Sequence, residues 1–221
     1  MNPIIDILTY AYRGSGKSIL ITCAILSVLA ALASFAPLFG IIASILFTGY
    51  FCAIFYQIIK STATGGKEAP EFPETSNIIE DMISPMLQVF TVVIVSFTPY
   101  FAYRYFILSG DSESLISVVL LALGIIYFPM AILSVVILGS IGCCSPHIVI
   151  PSIFRGGWIY WIGILMLCLV YLTEVLIGSI FQGNFILGTL VMAVVTSYSL
   201  MTNARVLGIV YRERQDKLHW V

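Results

Sequence analysis

Six apolar stretches, each long enough to cross a bilayer, fill most of this chain, and the first two are fused. Residues 19–59 run for about 40 positions without one charged side chain. As a single helix at 1.5 Å per residue that run would reach about 60 Å, twice the ~30 Å hydrocarbon core. It must therefore fold back. Pro37, with Gly40 just beyond it, is the expected break, because proline removes a helix hydrogen bond and clashes with the preceding turn. Spans are expected near 19–36, 39–59, 84–108, 115–139, 158–181 and 185–209. Short breaks at 109–114 and 182–184 and longer connections at 61–83 and 140–157 separate them. The pattern predicts an all-α, polytopic transmembrane bundle over 19–209, preceded by an N-terminal piece, 1–18, and followed by a tail, 210–221.

Composition agrees with that expectation. Sixty per cent of the residues are hydrophobic and 10% charged, and the mean hydropathy is +1.05. Soluble domains carry about 25% charged residues. So few charges cannot make a water-facing surface, which leaves lipid as the main solvent. The net charge of −1 argues against nucleic acid as a partner, since counterion release needs a basic face. Five scattered cysteines (Cys23, Cys52, Cys143, Cys144, Cys168) show no disulfide framework and read as small apolar packing residues.

Lys and Arg in the connections set the orientation. Arg13, Lys17, Lys60, Lys67, Arg155, Arg205, Arg212, Arg214 and Lys217 fall at the termini or in the two longer connections. The opposite side has only Arg104, beside Asp111 and Glu113. With an even number of spans, both termini are expected in the cytoplasm of a bacterial inner membrane. Met1 to Gly14 has no basic region ahead of a short apolar core and no small-residue cleavage site, so it reads as mature protein. Residues 3–13 place Asp6, Thr9 and Arg13 on one helical face and Ile4, Ile5, Leu8 and Tyr12 around the other, as in a short helix lying in the interface. Residues 205–218 read as the last span continuing into the cytoplasm, with Glu213 and Lys217 at a favourable i, i+4 spacing. Trp158, Tyr160 and Trp161 mark the inner boundary, and Tyr100, Tyr103 and Tyr105 the outer one. A faint repeat of roughly 70 residues is also visible. The aliphatic stretches Ile4–Leu8, Ile78–Ile83 and Ile148–Ile153 each precede an inward-starting span, as three repeated hairpins would require.

Few constellations carry chemistry. Ala11 to Ser18 (AYRGSGKS) satisfies a relaxed phosphate-loop pattern, but that loop needs a strand before it and a soluble helix after it. Here a membrane span follows, so a Gly-Ser hinge anchored by Lys17 is the preferred reading. Cys143-Cys144-Ser-Pro-His147 offers too few ligands for a metal site, with His219 the one other histidine. It reads as a loop in which Pro146 ends the helix. Haem has no histidine in any span to hold it. No cofactor and no metal is expected.

Glu174 is the one acid well inside a span, and an intramembrane ionisable group is a functional candidate with a partner to be named. It lies about 12 Å from the outer end of its span, and Arg104 about 6 Å from the outer end of its own. A difference of about 6 Å is within an arginine's reach, so Arg104 and Glu174 form a candidate intramembrane ion pair. Alternatively Glu174 faces a polar cavity and binds a proton or cation. In the 61–83 connection, Asn77 and Glu80 have capping-box spacing. The Pro/Gly-rich piece Gly65–Pro73 is either a solvated linker or a docking strip for a basic partner. Ser27, Ala30, Ala31 and Ser34 in span one, and Gly139 and Gly142 at the end of span four, allow close helix approach, and Pro99 and Pro129 bend their spans.

Thr48-Gly-Tyr-Phe, the Gly65-to-Pro73 loop, the acidic lead-in Ile78-Ile-Glu-Asp and the C-terminal Ala204-Arg-Val-Leu-Gly-Ile-Val-Tyr-Arg with Leu218-His-Trp220 together resemble a family. It is the bacterial six-span membrane proteins grouped as a domain of unknown function, loosely similar to glycerophosphodiesterase-type membrane domains. The resemblance implies a fold and no catalytic residues. The function expected is a non-enzymatic membrane subunit or scaffold docking other membrane or cytoplasmic proteins at its cytoplasmic face. Glu68, Glu71, Phe72, Glu74, Arg212 and Arg214 are the candidate contacts, and self-association is compatible with such a role. A small transporter or channel built on Glu174 is the alternative.

Overall fold

The computed structural model describes residues 3–33, 35–72, 79–107, 114–181, 183–218 and 220. A short helix α1 (Pro3–Thr9) runs through a 3-10 turn, Tyr10–Tyr12, towards α2 (Gly16–Ala33). Then come α3 (Pro37–Ala63), a π-helical turn at Ile79–Ile83, α4 (Ser84–Phe106) and α5 (Leu115–Leu138). A 3-10 turn, Ile141–Cys144, precedes α6 (Pro146–Phe181), and α7 (Phe185–Leu218) closes the chain. From α2 to α7 six helices are long and apolar enough to cross a membrane, so the architecture is the expected all-α polytopic bundle.

The fold-back occurs where proline dictates it: α2 stops at Ala33 and Pro37 opens α3. The helices pass through Pro99 in α4 and Pro129 in α5, as expected. α7 is the central helix, packed along α6, α3 and α2, and α5 sits between α4 and α6. Tight packing is concentrated at one end. In α5, Met130 to Val136 is buried, whereas Leu115, Ile116, Val118, Val119 and Leu123 near its start are exposed. The buried partners Ile54, Ile58 and Ile59 of α3 and Met201, Ala204 and Leu207 of α7 lie at that same end, which also carries both termini. We call it the terminal face. The far end is open, which is tolerable where exposed apolar side chains meet lipid tails as apolar as themselves.

Two glycines shape this arrangement. A Cβ on Gly208 of α7 would collide with the Thr62 side chain and lie 3.0 Å from the Ile59 carbonyl oxygen, so the parallel α3 and α7 touch backbone to backbone. Gly157 (φ 56°, ψ −149°) breaks α6 into a stub, 146–156, and a long arm, in a conformation essentially restricted to glycine.

The 140–157 connection corrects the sequence expectation. α5 ends at Leu138, capped by Gly139, and Pro146 starts α6 rather than ending a helix. Proline fits the first helical turn because its missing N–H would have had no acceptor there. The Tyr127 hydroxyl donates to the Cys144 carbonyl, and Ser134 Oγ to the Cys143 carbonyl at 2.9 Å, so this turn is pinned to α5. Short helical pieces precede α2 and α4 at the first two aliphatic stretches, while the third, Ile148–Ile153, lies in the stub at the start of α6 itself.

Candidate functional site

Span α7 carries Arg205 into the packed end of the bundle, 1% exposed, between Ala204 and Val206. A guanidinium there is costly unless its donors are met. Arg205 Nη2 donates to Asp6 Oδ2 at 2.9 Å. Arg205 Nη1 donates to Thr62 Oγ1 at 3.1 Å and to the Gly66 carbonyl at 2.5 Å. Its guanidinium carbon also sits 4.6 Å from the centre of the Tyr10 ring, a cation–π contact. One side chain therefore joins the N-terminal helix, the end of α3, the loop after it, and α7.

Asp6 is shared. Its Oδ1 accepts from Arg13 Nη1 at 2.6 Å while Oδ2 holds Arg205. Burial alone would raise the Asp6 carboxyl, but the hydrogen bonds and charges of Arg205 and Arg13 outweigh it and hold the pKa below the usual 3.8. Both carboxylate oxygens accept from a guanidinium, so Asp6 braces the site. Burial pushes the Tyr10 phenol up to about 12 in spite of the Arg205 charge. Tyr10 is thus a neutral donor, and its hydroxyl reaches the Glu68 carbonyl at 3.4 Å.

Further bonds fix the same segments. Tyr198 OH donates to the Leu8 carbonyl at 2.8 Å. Ser15 Oγ, between Gly14 and Gly16, donates to the carbonyls of Ala69 and of Pro70, the latter at 3.2 Å. The phosphate-loop look-alike is therefore a clamp on the loop after α3. α1 is correspondingly more than an interfacial helix, because its Asp6 face turns inward to Arg205 while Leu8 stays exposed. The tail is held as well. Trp220 Nε1 donates to Ser152 Oγ at 3.0 Å and its ring stacks on Tyr211 at 5.7 Å.

The expected docking residues separate into two groups. Glu68, Glu71 and Phe72 are exposed on the clamped loop. Glu74 lies outside the described residues, as do Asn77 of the capping box, Asp111, Glu113 and His219. Arg212 pairs with Glu213 at 3.5 Å, so Glu213 meets its neighbour rather than Lys217. Arg214 lies over Gly157, 3.5 Å from where a Cβ would be, and belongs to the α6–α7 packing.

The structure does not form the expected Arg104–Glu174 pair within the chain. Arg104 Nη1 donates to Tyr100 OH at 3.2 Å, and Glu174 Oε1 accepts from Thr196 Oγ1 at 2.7 Å. Their helices, α4 and α6, do not touch, because α5 stands between them. Residue counting gives depth along the membrane, but it does not give neighbour order.

Arg205 is the residue that sequence reasoning misplaces, by counting it with the loop charges. Its signal is nevertheless present: one base embedded in Ala-Arg-Val-Leu-Gly-Ile-Val, and one acid, Asp6, embedded in Ile-Ile-Asp-Ile-Leu, at the same end of the bundle. Comparison with family models, curated proteins and solved structures returned no match.

Proposed function

We propose that the protein is a non-enzymatic subunit or scaffold of a bacterial inner-membrane complex. Its terminal face lies in the cytoplasm and docks a basic partner segment through Glu68, Glu71 and Phe72. The observation that carries this reading is the fixed presentation of that loop. Two exposed carboxylates and an exposed aromatic ring stand on a backbone held by Arg205 at Gly66, Tyr10 at Glu68, and Ser15 at Ala69 and Pro70. A free linker would lose conformational entropy on binding, whereas a clamped strip has already lost it on folding. An aromatic anchor flanked by acids suits a partner bearing Arg or Lys around an apolar pocket. The cytoplasmic assignment rests on the one-sided Lys and Arg pattern. The bacterial six-span family is part of the same proposal, on its short motifs. A transporter reading gains less support, since Glu174 sits half-exposed in the α6–α7 groove with its Oε1 taken by Thr196.

The test is co-purification from native membranes in mild detergent, with a photo-crosslinking residue at position 72, of the wild type and a Glu68→Lys, Glu71→Lys variant. A stoichiometric partner that crosslinks at 72 and is lost from the variant supports the proposal. Crosslinks to lipid alone, or a partner retained unchanged by the variant, would refute it.

A further inference from the structure

We propose that the corner at the α6 kink binds the headgroup phosphate of an anionic phospholipid, through the guanidinium groups of Arg155 and Arg214. The site uses none of Glu68, Glu71 and Phe72, so it stands apart from the function proposed above.

Geometry puts this corner at headgroup depth. From Trp158 to Phe181 the arm of α6 is about 36 Å long at 1.5 Å per residue. That exceeds the ~30 Å hydrocarbon core, so the start of the arm emerges among the headgroups. The surface around the kink is nevertheless apolar. Phe154 is 79% exposed and Trp158 74%, and Ile150, one helical turn before Phe154 on the same side of the stub, is exposed as well. Tryptophan at this level anchors a protein in the interface. Tyr160, by contrast, is buried and donates to the Ile126 carbonyl, which fastens the first turn of the arm to α5. The corner is therefore held in place, with lipid-facing aromatic rings on either side of Arg155 and Gly157 in the chain.

Two cations meet there without an anion. Arg214 of α7 lays its guanidinium over Gly157, Nη2 lying 3.5 Å from the position of a Cβ. It makes no hydrogen bond and no ion pair with any described residue. Its Nε is shut off from solvent, while its two Nη groups open to the surface. Arg155, two residues before the kink, is exposed and equally unpaired among the described residues. Elsewhere the chain supplies such groups: Arg205 has Asp6, Thr62 and the Gly66 carbonyl, and Arg212 has Glu213. A half-buried guanidinium without an acceptor is costly, and a phosphate presents the paired oxygens that its planar fork fits best. Charge selects the class of lipid. Neither arginine holds a carboxylate that could receive a headgroup ammonium, so the corner favours anionic over zwitterionic headgroups. The exposed rings of Phe154 and Trp158 select a lipid over free phosphate, since acyl chains lie against them while the phosphate meets the bases.

The test titrates the full chain in mild detergent with phosphatidylglycerol, and separately with phosphatidylcholine of the same acyl chains, counting bound lipid by native mass spectrometry. Phosphatidylglycerol is expected to bind about 10-fold tighter or more. A base near an anionic headgroup is worth about 1 kcal/mol, so Arg155→Gln and Arg214→Gln should each weaken binding about 5-fold, and together about 30-fold. Lys60→Gln, an equal loss of charge elsewhere on the terminal face, should bind as wild type. Inorganic phosphate at the lipid's concentration should not displace it. Equal binding of phosphatidylcholine, a double variant that binds as wild type, an equal loss in Lys60→Gln, or displacement by inorganic phosphate would each overturn the proposal. If Arg214→Gln does not fold, Arg155→Gln at its exposed position decides, and unchanged binding there refutes the site.

Discussion

Arg205→Ala should unclasp the terminal face. The substitution removes the donors that meet Asp6, Thr62 and the Gly66 carbonyl, and the cation above the Tyr10 ring. Breaking a buried ion pair by deleting one partner costs about 3–5 kcal/mol. The lower end applies here, because Asp6 keeps Arg13 at 2.6 Å and is not fully buried, so the strictly orphaned acceptors are neutral. A loss of about 3 kcal/mol in a chain of this size corresponds to a fall of about 6–12 °C in apparent Tm, at about 2–4 °C per kcal/mol. The tryptophans Trp158, Trp161 and Trp220 report unfolding in detergent. Limited trypsin digestion at Arg13 and Lys17 reports release of the N-terminal segment, and its rate should rise with the fall in Tm. Arg205→Lys should recover only part of the loss, since one ammonium cannot reproduce the planar fork that spans three acceptors. A double-mutant cycle of Arg205→Ala with Asp6→Ala should show about 1–3 kcal/mol of coupling. If Arg205→Ala melts within about 1 °C of wild type and is cut no faster, the clamp does not hold these elements together and the docking proposal loses its scaffold.

Three further outcomes follow from the same geometry. Because the folded-state pKa of Asp6 is below its unfolded 3.8, its contribution is complete above pH 3.8 and disappears as pH falls through the lowered value. The Tm difference between wild type and Asp6→Asn should therefore be constant near neutral pH and shrink only in that acid range, in paired melting curves. Gly208→Ala should cost about 1–3 kcal/mol by forcing α3 and α7 apart, while Gly183→Ala, with nothing within 4 Å of its Cβ position, should melt as wild type. Trp220→Ala loses the Ser152 hydrogen bond and the Tyr211 stack. It should lower Tm by a few degrees, with about 1 kcal/mol from the hydrogen bond, and make cleavage after Arg214 and Lys217 faster.

What can be read from the sequence is one-dimensional. Length and hydropathy locate six spans to within a few residues, because spanning a bilayer is a requirement on consecutive residues. The Pro37 fold-back and the run of α7 to Leu218 are visible for the same reason. Proline's meaning depends on something further along the chain: Pro146 reads as a stop only while the helix after it goes unrecognised, and the positive φ of Gly157 separates that stub from the span. Lateral order needs a second dimension, which hydropathy does not contain. Arg104 and Glu174 lie within an arginine's reach in depth, yet α5 stands between their helices, so depth alone does not make them partners. Arg205 illustrates the converse. Counting it with the loop charges treats it as solvated, whereas a base whose neighbours are Ala, Val and Leu cannot be solvated unless the protein brings it a carboxylate. Asp6 is that carboxylate, 199 residues away in the chain, and the two become partners because an even number of spans returns the last helix to the end where the first begins. The charges most isolated in the sequence, Asp6 and Arg205, are thus the ones that dictate which segments meet at the terminal face.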